Sequence, residues 1–268
     1  MYNKKYKEAY LVHYNHNHDR LGRFTSGPGG SPNDSIILPK GYKLNTISDY
    51  GTARTSTGRA EQNRKSGRPM YTFNPKDKWD SAVYRGPFAK YRIIYRGAQF
   101  LDEHSYITVK EMRMPTKQQR IDEFKNLYAD KKYNKAVIKE LSATQKALIN
   151  NKIGNSKEQK MWSSIDCKKL KNDKDYDIAY SIFNHSMEAY YKGKSTSEYM
   201  KRMSTKYDAM VDDNNQGVYN GAHDPIIVFK AEEFLKTKGS RSMSAAEITG
   251  NYKQVEKELA KRGERPKL

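Results

Sequence analysis

Residues 206–213, KYDAMVDD, and residues 225–229, PIIVF, decide the fold class. The first is a short apolar run between acids. The second is a continuous apolar run of strand length that starts at a proline, which suits a strand buried on both faces. Both follow a long helical stretch. Ahead of that stretch, GYKLNTIS after Pro39 alternates apolar and polar positions and predicts a first strand. MYTF (70–73), YRIIYR (91–96) and YITV (106–109) predict three more strands, separated by Asn-Pro, Arg-Gly-Pro and Arg-Gly-Ala breaks and read from the residues as parts of one antiparallel-leaning sheet. The order strand, long loop, three strands, helices, two strands, helix argues for an α+β chain and against a doubly wound sheet.

The helical half opens at Pro115-Thr116, where Gln119 completes a capping box and Ile121, Phe124 and Tyr128 follow on one face. Val137, Leu141 and Leu148 predict a second helix, and Ile178, Ile182, Phe183 and Met187 a third. Ser195 and Glu198 predict a capped start for another, carrying Tyr199 and Met203, and Ser244 with Glu247 opens a final basic helix.

Lys and Arg number 50 against 31 Asp and Glu, a net charge of +19 that attracts polyanions at long range. Hydrophobic residues are 36% of the chain and mean hydropathy is −1.01, so the core is lean and leans on the 21 tyrosines. The single cysteine, Cys167, excludes an internal disulfide and a Cys-rich metal site. No apolar run reaches the ~18 residues of a membrane span, so no membrane partner is expected. Residues 13–32, HYNHNHDRLGRFTSGPGGSP, read as a flexible arm; its three histidines lack the further ligands of a metal site.

Two segments carry candidate chemistry. The loop containing Arg54, Arg59, Arg64, Lys65 and Arg68 presents guanidinium and ammonium groups suited to the phosphates of a nucleic acid or a dinucleotide, or to plain solvation. Asp212, Asp213, His223 and Asp224 cluster in sequence around the last two strands, as a site or as an acidic hairpin loop. A two-metal nuclease is disfavoured because consecutive aspartates on a strand point to opposite faces.

The series KGYKLNTIS (40–48), MYTFNP (70–75), helices, KYDAMVDD and AHDPIIVF (222–229) resembles the ADP-ribosyltransferase-like domains attached to phage head-morphogenesis proteins and related bacterial toxins. HDRLGRFTSGPGG (18–30) looks like the short arms of phage structural proteins. The resemblance implies a split sheet that clamps NAD and a helical insertion. It also implies a cofactor contact at Asn45 or Thr46, where the family has Arg or His, a tyrosine near the nicotinamide at Tyr71, and a late acid at Asp224. That acid would steady the oxocarbenium-like state of C–N glycosidic cleavage.

The expected organisation is an arm over 1–38, an ADP-ribosyltransferase-like domain over 39–240 and a basic helix and tail over 241–268. The expected setting is a phage-encoded protein of the virion or the host bacterial cytoplasm, with a host protein target or other virion proteins as partners. Within that setting the domain either modifies a host target or is catalytically degenerate. The alternative is a non-enzymatic basic accessory protein that binds nucleic acid or an acidic capsid surface.

Overall fold

The computed structural model describes residues 35–49, 64–65, 69–72, 101–151, 156–187, 193–212 and 226–243. The chain divides into two compact units, one formed by residues 37–113 with 204–268, the other by 1–36 with 114–203. The expected strand at 91–96, the helix from Ser244 and nearly all of the arm lie outside the described residues.

The first unit carries the β structure. Its strands are β1 (Ile36–Leu38), β2 (Lys43–Asp49), β3 (Met70–Thr72), β4 (Leu101–Thr108), β5 (Met112–Met114), β6 (Ala209–Val211), β7 (Ile226–Val228) and β8 (Leu235–Met243). The unit boundaries fall within β1 and β5. β1 pairs with β5, while β2-β4-β8 and β3-β7-β6 form two three-stranded sheets in which every pair is antiparallel. With the helices this makes the chain α+β. The single sheet read from residues 70–109 is corrected: β3 pairs with β7, 154 residues away at Thr72 and Ile226, and β4 pairs with β2 and β8.

Local chemistry sets these strands. Gly41, at φ +86°, closes the turn from Pro39 to Tyr42, whose N–H donates to the Pro39 carbonyl at 3.2 Å; an L side chain would be strained there. Thr108 locks the turn, its hydroxyl donating to Pro39 O at 2.8 Å and accepting from Tyr42 N–H at 2.8 Å. Along β2 and β4, Leu44, Thr46, His104, Tyr106 and Thr108 are buried on one face by the two-residue period. β7 is buried at all three residues, as its apolar run requires of a central strand.

The second unit is helical: α1 (Lys117–Ala129), α2 (Asn134–Asn150), α3 (Ser156–Ser163), α4 (Asp173–Met187) and α5, which starts at Lys194 and ends at Lys206 in the first unit. A short α6 (Ala231–Phe234) belongs to the β unit. The capping box is present: Thr116 Oγ1 accepts from Gln119 N–H, and the Gln119 side chain accepts from Thr116 N–H. Phe124, Tyr180, Phe183 and Tyr199 form the core, with Phe124 and Phe183 centroids 4.9 Å apart and Tyr199 edge-on to Phe183 at 5.3 Å. Arg120, 1% exposed, donates to Tyr180 Oη at 3.2 Å and Pro115 O at 3.1 Å, so the charge is buried with hydrogen bonds rather than stranded.

The start of α5 differs from the sequence expectation. Ser195 lies inside the first turn, and its N–H and hydroxyl both donate to the Glu140 carboxylate of α2. Glu198 turns instead to Arg202 at 3.0 Å and Tyr133 Oη at 2.9 Å.

Candidate functional site

Thr46 of β2 and Tyr71 of β3 bring the two three-stranded sheets together. The buried Thr46 hydroxyl donates to the Tyr71 carbonyl at 2.9 Å. In β3 Met70 and Thr72 are buried and Tyr71, between them, is half-buried. Tyr71 stands opposite Ile227 of β7, which stands opposite Met210 of β6. The buried Thr72 hydroxyl donates to Ile226 O at 2.8 Å and ties β3 to the first residue of β7. Residues 46, 71 and 226, far apart in sequence, thus sit on neighbouring strands. Asp224 is two residues before Ile226 in sequence and lies outside the described residues.

Asn45 takes the other face of β2, since successive side chains alternate. Its Nδ2 donates to Glu103 Oε1 at 2.8 Å, and Glu103 Oε2 lies 2.5 Å from Arg241 Nη2. Asn45 also lines a cavity of about 310 Å³ with Lys43, Ser105, Tyr106, Lys238 and Gly239. Asn45 and Thr46 therefore do not serve one face together. Glu103 and Arg241 carried no sequence signal: DEHSYIT and KTKGSRSM show no motif, and only the β2-β4-β8 register assembles them.

Of the basic segment, Arg64 is helical and half-buried, with Nη1 donating to Leu235 O at 3.1 Å, and Lys65 is exposed. Arg54, Arg59 and Arg68 lie outside the described residues, as do Asp213 and His223. Asp212 is buried just after β6. Among the described residues no group of three or more His, Cys, Asp or Glu is placed to hold a metal ion.

Two other reactive side chains are quiet. Burial pushes the Cys167 thiol up to about 11, so it is protonated at neutral pH and is a poor nucleophile. Burial holds His185 down to about 4, and its neutral ring meets Trp162 edge-on at 5.2 Å. Among the described residues no helix is long and apolar enough to cross a membrane. Comparison with protein-family models, curated proteins and solved structures gave no match to this chain.

Proposed function

We propose that the chain is an ADP-ribosyltransferase-like, NAD-binding protein of phage origin, with its cofactor held where β2, β3 and the start of β7 converge. One observation carries the proposal. Thr46 and Tyr71, two of the residues singled out by the resemblance, are joined by a 2.9 Å hydrogen bond, and β3 is paired to the strand that Asp224 precedes in sequence. The separation of the antiparallel strands into two sheets, with helices between β5 and β6 in sequence, supports the same assignment.

The residues fit NAD in part. Tyr71 supplies a half-buried ring for the nicotinamide, and Asp224 supplies the carboxylate that would orient the ribose and stabilise positive charge at its anomeric carbon. Neither Asn45 nor Thr46 supplies a cation, and the hydroxyl proton of Thr46 is engaged by Tyr71 O. The diphosphate charge falls to the basic segment with Arg54, Arg59, Arg64, Lys65 and Arg68. A working enzyme modifies a host protein with this set; a degenerate one binds NAD without turnover.

Calorimetric titration with NAD tests the assignment on wild type, Tyr71→Ala and Asp224→Ala. Micromolar-range binding that weakens in both variants is expected, and the absence of heat from wild type would remove the proposal.

A second reading, a basic protein that binds nucleic acid or another acidic surface, is favoured by β8, where Lys236, Lys238 and Arg241 are all exposed. Salt-dependent binding of a polyanion, indifferent to NAD, separates it from the first.

A further inference from the structure

Along β2 and β4 one face of the β2-β4-β8 sheet lies in the core, whereas β8 is exposed from Lys236 to Arg241. Asn45 stands opposite Ser105, which stands opposite Gly239, so these three share the face away from Thr46 and line the 310 Å³ cavity, with Asn45 buried and Ser105 half-buried. Lys43 and Lys238 stand at its rim, both exposed. Lys238 is the extra residue where the β4–β8 register shifts between Ser105 and Tyr106, and a bulge of this kind re-aims the side chain it releases.

The residues lining the cavity include two lysines and no acid. The nearby Glu103 carboxylate is taken up by Arg241 and Asn45. Among the described residues neither Lys43 nor Lys238 is paired with an acid. The cavity is also lined by neutral donors, the Ser105 hydroxyl and the second N–H of the Asn45 amide, whose first donates to Glu103. Gly239 leaves the lining open, because a Cβ built on it meets nothing within 4 Å. Tyr106 lines the cavity but is 1% exposed, so it offers no ring on which a base could stack.

We propose that this cavity is a phosphate subsite for the backbone of duplex nucleic acid. Two ammonium groups flanking neutral donors match a phosphodiester oxyanion, and lysines act as point charges without the planar fork of arginine. With no exposed ring from Tyr106, contact is made to backbone and not to bases. The net charge of +19 draws a polyanion to the chain, and the cavity gives one of its phosphates a defined seat. The inference rests on the second reading above and is independent of NAD, since Thr46 faces away from this side of β2.

Fluorescence anisotropy of a short labelled DNA duplex, titrated with the full chain between about 50 and 200 mM salt, tests the inference. The double variant Lys43→Ala/Lys238→Ala is expected to lower the slope of log affinity against log salt by about one, near 0.9 for the one seated phosphate that is no longer neutralised. Gly239→Leu removes no charge but adds bulk to the cavity lining, and is expected to weaken binding severalfold with an unchanged melting temperature. Lys139→Ala/Lys146→Ala, which removes two exposed lysines from α2, is the charge-matched control and should have the smaller effect. If the control lowers the slope as much as the cavity pair, or if Gly239→Leu binds like wild type, the cavity is no subsite and binding follows net charge alone. If wild type fails to bind the duplex at all, the second reading falls with it.

Discussion

Glu140 in α2 closes the N-terminus of α5 through Ser195, accepting from both its backbone N–H and its hydroxyl. Those first-turn N–H groups have no partner within their own helix, and a carboxylate there also meets the positive end of the helix dipole. Glu140→Ala is expected to cost about 1–2 kcal/mol in urea denaturation, the range for removing a cap with a favourable charge. Gly193 is held to glycine by the same carboxylate, for a Cβ would collide with it and with Thr196 Oγ1. Gly193→Ala should therefore destabilise wild type more than it destabilises Glu140→Ala, and a double-mutant cycle measures that coupling.

Arg202 gathers Asp130 at 2.5 Å, Glu198 at 3.0 Å and the buried Glu123 at 3.7 Å. Hydrogen bonding to Arg202 holds the Asp130 carboxyl below its usual 3.8 and the Glu198 carboxyl below its usual 4.5. A depressed folded-state value means that stability is fully present above the unfolded value and is lost as pH falls through the folded one. Wild type should thus lose stability as pH falls from about 4.5 through and below 3.8, the span opened by these two carboxyls. Arg202→Ala should be less stable at pH 7 and should show a flatter acid limb. A parallel acid limb in the variant would show that other carboxylates govern it.

The difference between what is legible in the sequence and what is not follows from where each signal resides. Ile121, Phe124 and Tyr128 are all buried on α1, because a helix that packs one face must repeat its apolar residues with the helical period. β7 is legible because a strand buried on both faces has nothing but apolar residues. β8 is not: Lys236 through Arg241 are exposed, and the strand is held by its backbone pairing to β4, which leaves no alternation to detect. Ser195 and Glu198 fit the capping-box spacing, yet Glu140, 55 residues away, takes the serine, a tertiary preference that spacing cannot reveal. The same holds for the candidate site. Thr46 and Tyr71 stand out separately in the sequence, and only the meeting of β2 with β3 links them.

Cys167 is expected to be inert in the native protein. It is 3% exposed, burial raises its thiol to about 11, and its S–H donates to Gln145 Oε1 at 3.3 Å. An aromatic disulfide reagent at mildly alkaline pH should label it only after denaturant is added, with one thiol released per chain. Rapid labelling of the folded protein would mean that the segment between α3 and α4 opens readily, and the labelling rate would then measure that opening.

Thr46→Val separates the structural part of the Thr46–Tyr71 hydrogen bond from the part in NAD binding that the proposed function gives it. Valine keeps the β-branched shape that suits a strand but cannot donate to the Tyr71 carbonyl. A buried acceptor left unsatisfied costs about 1–3 kcal/mol, so the variant should unfold at lower urea with an unchanged denaturant slope. If β2 and β3 hold NAD, the same change should weaken NAD by more than the loss of stability explains, because the strand bearing Tyr71 is no longer pinned to β2. Unaltered NAD affinity in a destabilised variant would confine Thr46 to holding the sheets together. Of the proposed NAD contacts on these strands, the nicotinamide contact of Tyr71 and the ribose contact of Asp224 would then remain.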